Sequence, residues 1–375
     1  MHLCDLAPAY IRAIAPYQPG KPISELAREM GLAEADIVKL ASNENPLGIS
    51  PKARAAIAEC LDDLALYPDG NGYALKAAIA ARLGVEPDGI VLGNGSNDVL
   101  ELAARALLGP GTSAVFSEHA FAVYPLATQA TGAIGISVPA RAYGHDLAAM
   151  RDAVVDNPRD DTRVVFIANP NNPTGTLLGA DELHGFLASL PAQVAVVLDE
   201  AYGEFLDEVL RAPSVDWLAE FPNLILTRTF SKAYGLAGLR VGYALAHPEV
   251  ADLLNRVRQP FNVNSLALAG ATAALDDGEF IAHSKAVNDA GMAQLLEGCQ
   301  RLGLGHIPSY GNFVCIEVGG DADAAMQVYQ ALLRKGVIVR PVANYGLPTF
   351  LRVSIGLPEQ NARFLAALAE ILEQA

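Results

Sequence analysis

The sequence predicts an α/β fold: a large domain with a mostly parallel central sheet flanked by helices, followed by a smaller α+β domain. Three observations predict it. Seven short runs rich in Val, Ile and Leu, at 90–93, 113–116, 133–138, 163–168, 193–198, 223–227 and 239–245, are largely apolar rather than alternating, as in strands buried on both faces. Stretches with helical spacing separate most of them, the alternation that builds parallel sheets. After about residue 262 the texture changes to long helical stretches with a few scattered strands.

The elements follow in order. Residues 1–45 have little sheet character and are expected to pack on the smaller domain or on a partner subunit. The large domain is expected over 46–262 and the small one over 263–375. Ser50-Pro51 is a cap followed by proline at the first helical position, and apolar spacing through Cys60 and Leu64 continues a helix. The run at 90–93 leads through Gly93-Asn94-Gly95-Ser96-Asn97-Asp98 into a helix over 97–108. Helices at 265–274 and 279–302, a strand at 313–318 and a helix at 322–334 open the smaller domain. Short strands near 337–339 and 351–355 and a final helix close it. There is no internal repeat and no linker.

Composition bounds the function. The 375 residues suffice for two or three domains. With 51% hydrophobic and 18% charged residues, the chain is globular rather than disordered. Its net charge of −16 repels phosphate backbones and anionic lipid, so neither nucleic acid nor membrane is an expected partner. Cys4, Cys60, Cys299 and Cys315 lie far apart, which reads as free thiols in a reducing cytoplasm. The seven histidines form no HExxH and no pair at helical spacing, so no metal is expected. The first residues, with Asp5 and two prolines, read as neither a signal peptide nor a membrane span.

Four segments carry chemistry. In Thr229-Phe230-Ser231-Lys232-Ala233-Tyr234-Gly235-Leu236-Ala237-Gly238-Leu239-Arg240, one of only seven lysines sits in a small-residue loop after a strand. Hydroxyls precede it and an arginine follows eight residues later, a setting that can lower the pKa of a Schiff-base lysine. The strand that ends in Leu198-Asp199-Glu200-Ala201-Tyr202 puts Asp199 at a carboxyl end, where open α/β sheets bind ligands. A buried carboxylate there can keep a ring nitrogen protonated and make that ring an electron sink. Asn169-Pro170-Asn171-Asn172-Pro173-Thr174-Gly175 is a rigid turn that can aim the Asn172 amide at a ring oxygen. The turn 93–98 offers glycine backbone and a helix N-terminus to a phosphate. It lacks the third glycine of a dinucleotide fingerprint and the Lys of a Walker loop. Each segment alone also fits a plainer role, as a solvated lysine, a polar strand end, loop punctuation or a helix cap.

Taken together, in this order and each after an expected strand, the segments make the chain resemble the fold-type I pyridoxal-phosphate aminotransferases, and within them the histidinol-phosphate aminotransferase family. The resemblance covers nearly the whole chain, from Tyr17-Gln18-Pro19-Gly20 and Leu40-Ala41-Ser42-Asn43-Glu44-Asn45-Pro46 to Leu351-Arg352-Val353-Ser354-Ile355-Gly356. It implies pyridoxal 5'-phosphate as cofactor and Lys232 as its Schiff-base lysine and proton shuttle. It further implies Asp199 at the ring nitrogen, Asn172 and Tyr202 at the ring oxygen, and Phe121 stacked on the ring. Ser96, Asn97, Ser231 and Arg240, with Thr229, would hold the phosphate. Tyr67, in Leu66-Tyr67-Pro68-Asp69-Gly70, matches a tyrosine that reaches the neighbouring subunit's phosphate, which implies a homodimer with shared sites. Many relatives carry a carboxylate at the position of Asn97 and tyrosine at that of Phe121; an amide suits a phosphate better, and Phe stacks as Tyr does.

The substrate follows from two arginines. Guanidinium forks bind carboxylate or phosphate in bidentate fashion. By resemblance Arg352 anchors the α-carboxylate of glutamate, and Arg340 with Tyr17 contacts histidinol phosphate. The expected reaction is ping-pong transfer between L-histidinol phosphate and 2-oxoglutarate. The segment around Arg340 also resembles a branch that accepts aromatic amino acids, which makes a phenylalanine or tyrosine aminotransferase the alternative. An amino-acid-phosphate decarboxylase is a further one. A regulator built on this fold would need an added DNA-binding segment, and no basic helix-turn-helix pattern stands before residue 40.

Overall fold

The structure is a computed structural model that describes residues 2–374. Its strands are β1 (Val38–Lys39), β2 (Ile90–Gly93), β3 (Ser113–Ser117), β4 (Ile134–Val138), β5 (Thr162–Ala168), β6 (Ala195–Asp199), β7 (Leu224–Thr229), β8 (Gly242–Ala246), β9 (His306–Ile307), β10 (Phe313–Glu317), β11 (Val337–Ile338), β12 (Arg340–Val342) and β13 (Leu347–Ser354).

Seven of them form the large sheet in the order β2-β8-β7-β6-β5-β3-β4. Strand β8 runs antiparallel to both neighbours, and the remaining pairings are parallel. All four residues of β2 and all five of β8 are buried, as the continuous apolar runs require when helices cover both faces. One face packs Val165, Ile167, Val196, Leu198 and Leu226 with Phe186 and Trp217. The other packs Val164, Phe166, Val197 and Ile225 against the helices Ser96–Leu107 and Val123–Ala130.

Three expectations are corrected. Strand β4 is not buried on both faces: its residues are mostly exposed, Ile134 at 42%, because it is the sheet's edge and pairs on one side only. Strand β8 begins at Gly242 rather than near 239, because Ala237–Leu239 form a 3-10 turn and Arg240 takes a left-handed conformation, φ 57°. The helix that Ser50 caps, accepting from the Ala53 N–H at 3.0 Å, stops at Glu59 and is followed by a 3-10 turn.

Beyond the helix Ser265–Leu275, the 25-residue helix Gly278–Leu302 leads to a four-stranded antiparallel sheet, β12-β13-β10-β9. The helices Ala322–Arg334 and Pro358–Glu373 cover this sheet over a core of Leu295, Val314, Leu332, Val353, Phe364 and Leu368. Near the start of the chain, β1 pairs in parallel with β11, and Leu26, Ile37 and Ala41 pack on Leu333 and Ile338. Residues 9–12 lie elsewhere, against the helix Val123–Ala130, where Gln129 donates to the Tyr10 carbonyl. Among the described residues no helix is long and apolar enough to cross a membrane.

Candidate active site

The register gathers chemistry at one end of the large sheet. Gly93 stands opposite Gly242, Ala168 opposite Asp199, Asp199 opposite Thr227 and Thr229 opposite Gly242. The carboxyl ends of β2, β5, β6 and β7 therefore open into a single cavity of about 340 Å3. Tyr17, Ser96, Asn97, Phe121, Asn172, Asp199, Tyr202, Thr229, Ser231, Lys232, Arg240, Arg340 and Arg352 all line it. Of the residues singled out in the sequence, Tyr67 alone lies outside: it is 83% exposed and stacks on Phe261.

Lys232 sits just beyond β7, and its Nζ donates to the Ser42 carbonyl at 3.2 Å. Burial of the ammonium, followed by the nearby Arg352 charge, pushes its pKa down to about 8. Such a lysine is partly neutral near neutral pH and can act as nucleophile or base.

Asp199, 4% exposed, accepts at Oδ2 from the Tyr124 hydroxyl at 2.9 Å. Its other oxygen, Oδ1, is buried without a partner. Burial pushes the carboxyl up to about 6. A buried, half-satisfied carboxylate is costly unless a donor or cation completes it. Tyr202 accepts at its hydroxyl from Asn43 Nδ2 at 3.0 Å, leaving its own O–H free to donate. Asn172, which lines the cavity, accepts at Oδ1 from Arg352 Nη1 at 2.5 Å, and this bond leaves its amide N–H2 free to donate.

At the far end, the helix Ser96–Leu107 presents its first N–H groups beside Ser231 and Arg240. Arg240 Nη1 reaches Ser231 Oγ at 3.4 Å, and Ser231 N donates to Thr229 Oγ1 at 3.1 Å. The hollow is made by glycine. A Cβ on Gly95, which has φ 82°, would lie 2.5 Å from Arg240 Nη2, and one on Gly242 would lie 2.5 Å from Ser96 N.

The two substrate arginines come from the small sheet. Arg352 donates to Asn172 and to the Ala41 carbonyl and leaves Nε buried without a partner. Arg340 donates to the Gln18 carbonyl and lies 5.6 Å from the centroid of the Tyr17 ring. Among the described residues neither guanidinium has a carboxylate partner within 4.0 Å.

Sequence reasoning missed Tyr124 and Asn43, which orient Asp199 and Tyr202. Asn43 stands inside the Leu40–Pro46 motif already singled out, and Tyr124 stands near Phe121, where a signal existed. Tyr124 follows Phe121 by three residues and is fully buried between Phe121 and Phe166, a place where a hydroxyl needs a partner. Asn45, left without a role, donates to the Ala233 carbonyl and to Ser284 Oγ, both at 2.8 Å, and so pins the loop that carries Lys232.

Comparison with known proteins decides the family. Residues 35–368 match the family described as aminotransferase class I and II. The chain is 62% identical over 373 residues to histidinol-phosphate aminotransferase 2 of Nitrosospira multiformis, covering 100% of this chain and 93% of that one. It is 65% identical to histidinol-phosphate aminotransferase 1 of Thiobacillus denitrificans, covering 98% and 94%. The chain belongs to the histidinol-phosphate aminotransferase family. A solved histidinol-phosphate aminotransferase from Sinorhizobium meliloti, in complex with pyridoxal-5'-phosphate, superposes with a TM-score of 0.90 at 28% identity over 98% of both chains. This aminotransferase therefore has the fold-type I architecture and takes pyridoxal phosphate as its cofactor. The side chains fit that group: the unpartnered Asp199 Oδ1 suits a pyridinium N–H, and the glycine-lined hollow beside Arg240 suits its phosphate.

Proposed function

We propose that this aminotransferase exchanges an amino group between L-histidinol phosphate and 2-oxoglutarate, giving imidazole-acetol phosphate and L-glutamate in two half-reactions at one site. The observation that carries the proposal is the pair of buried arginines, Arg340 and Arg352, which among the described residues have no carboxylate partner and which line the same cavity as Lys232. A substrate bearing an anionic group can satisfy a guanidinium that the fold leaves without a counter-charge. The names and identities of the relatives above support the same substrate.

In this reading Arg352 holds the α-carboxylate of glutamate, and Arg340 with Tyr17 holds the phosphate of histidinol phosphate. Pyridoxal phosphate, when bound, supplies the electron sink for the substrate carbon that loses its proton. Ser96, Asn97, Thr229, Ser231 and Arg240 hold its phosphate, while Asp199 fixes positive charge at the ring nitrogen. Asn172 and Tyr202 donate to the ring oxygen, and Phe121 packs on the ring. Lys232 Nζ, lowered to about 8, takes the proton from the substrate Cα and returns it on the other side of the transfer.

We further propose a homodimer in the cytoplasm, with Tyr67 of each subunit completing the neighbour's phosphate site. Its 83% exposure in the single chain, next to exposed Leu64 and Leu66, supports this. The division into residues 1–45, 46–262 and 263–375 is proposed as the domain plan; the pairing of β1 with β11 supports packing the later part of the first segment on the small domain, while residues 9–12 lie on the large one.

The test is a half-reaction followed spectrophotometrically, with L-histidinol phosphate, L-phenylalanine and L-tyrosine offered separately. Much faster conversion by histidinol phosphate is the expected result. Equal or faster conversion by the aromatic amino acids would remove the phosphate role of Arg340. Release of CO2 in place of 2-oxoglutarate-dependent turnover would make the protein a decarboxylase.

A further inference from the structure

Between the phosphate hollow and the exposed Tyr67 runs a chain of hydrogen bonds that the proposed reaction does not use. Asp98 Oδ2 accepts from the backbone N–H of Asn94 at 2.9 Å, pinning the turn that leads to Ser96, and from Asn262 Nδ2 at 2.7 Å. The same amide of Asn262 donates to the Leu92 carbonyl at 3.1 Å, within β2. Asn262 Oδ1 accepts from Arg258 Nη1 at 2.7 Å, and Arg258 Nη2 donates to the Gly70 carbonyl at 3.0 Å. Gly70 ends the turn Tyr67-Pro68-Asp69-Gly70. An acid and a base thus flank a neutral amide whose two polar ends both engage charged groups, which makes these bonds charge-assisted.

A second contact runs beside the first. The Tyr67 ring stacks on Phe261, the residue before Asn262, with centroids 4.9 Å apart. Phe261 has φ 58°, a left-handed conformation that bulky residues rarely adopt and that persists only where the surroundings hold it. Residues 261 and 262 therefore divide their work. Phe261, 47% exposed, meets Tyr67, while Asn262 meets Asp98 beside the phosphate hollow.

We infer that Asp98, Asn262 and Arg258 are positioning residues that couple a subunit's own phosphate hollow to the tyrosine it lends to its partner. The inference rests on the two-subunit reading of Tyr67 given above. Filling the hollow fixes the turn 93–96, and this turn is bonded through Asp98, Asn262 and Arg258 to the turn that carries Tyr67. Loading one site thereby orders the tyrosine that completes the other. By linkage the second site binds more tightly once the first is filled, with coupling in the usual range of about 5- to 150-fold.

The test is equilibrium binding of pyridoxal phosphate to the full-length protein, stripped and then titrated, followed by absorbance. It compares the wild type, Tyr67→Phe, Arg258→Met and the double variant, with sedimentation to count subunits. Arg258→Met leaves the bonds from Asn94 and Asn262 to Asp98 in place and removes the guanidinium's own bonds to Asn262, Asn255 and Gly70. The expected result is cooperative binding by the wild type, about tenfold weaker binding by Tyr67→Phe, and loss of cooperativity in Arg258→Met. The double variant should lose less affinity than the product of the single losses. If Arg258→Met does not fold, Arg258→Lys, which keeps the charge but not the forked donors, takes its place in the cycle. A monomer, or unchanged affinity in Tyr67→Phe, overturns the two-subunit reading and the coupling with it. A dimer whose single losses multiply in the double variant overturns the coupling alone.

Discussion

Arg340 and Arg352 stand directly opposite each other across β12 and β13, two like-charged residues paired Cα to Cα and each under 9% exposed. Like charges in that position destabilise a sheet, and partial burial deepens the cost. The fold offers them carbonyls, an amide and aromatic faces instead of carboxylates. Such an arrangement is at its most stable when anions arrive.

Inorganic phosphate is therefore expected to raise the melting temperature of the cofactor-loaded protein, and Arg340→Met is expected to lose most of that rise. The same variant should lower kcat/KM for histidinol phosphate by about 100- to 1,000-fold, some 3–4 kcal/mol for a lost charge-assisted pair. For glutamate the loss should stay below about tenfold. Steady-state kinetics on both substrates checks this, and equal losses would remove the phosphate assignment.

Asp199 makes a stability signature in the cofactor-free protein. Its carboxyl is pushed up to about 6 from 3.8 by burial, so the folded state holds the proton more tightly than the unfolded chain does. Its contribution is then fully present below about pH 4 and is lost as pH rises through 6. Asp199→Asn should accordingly stabilise the stripped protein at pH 8 by up to about 3 kcal/mol and abolish turnover. Urea melts at pH 4 and pH 8 measure it; a gain of equal size at both would show that ionisation is not the cause.

Lys232 gives the opposite slope. With its ammonium lowered to about 8, half of the amine is neutral at that pH, and the neutral fraction levels off about one pH unit higher. Capture of pyridoxal phosphate by the stripped protein should speed up from pH 6 to 8 and change little above 9. Arg352→Met removes a charge that helps lower this pKa, so the midpoint should move to higher pH. Stopped-flow absorbance across the range reads both, and an unmoved midpoint would separate the two residues. Lys232→Ala should show no capture and no turnover above a trace.

Tyr124→Phe tests the partner of Asp199. The hydroxyl donates to Oδ2 at 2.9 Å from a fully buried ring, and its loss takes that donor from Oδ2. We expect folding to weaken by about 1–3 kcal/mol and the absorbance maximum of the loaded enzyme to shift. A melt that falls with an unchanged spectrum would mean that Tyr124 serves packing alone.

Much of this site was legible before any coordinates. Lys232, Asp199 and Asn172 each follow a continuous apolar strand, and in parallel sheets such strands deliver their carboxyl ends to one side. Thr229 and Ser231 came with Lys232 because they share its loop. What the sequence could not carry was pairing between distant segments. Nothing in Asn43 or Tyr124 alone says that one meets Tyr202 and the other Asp199, 159 and 75 residues away. The opposed register of Arg340 and Arg352 was also invisible, because a bulge between Pro341 and Val342 sets it. Strand β4 misled for a related reason: its apolar residues do not announce that it has a neighbour on one side only.

The pairing of Val38 with Val337 has a consequence for the order in which the molecule can be built. Some 300 residues separate the partners, so β1 waits through most of translation with no strand to join. The large sheet spans 90–246 and can close while the ribosome is still making the rest, as domains that emerge early generally do. Leu26 and Ile37, buried in the finished molecule against Leu333 and Ile338, stay exposed until then. The nascent chain thus keeps an unpaired apolar stretch near its start until the C-terminal strands emerge.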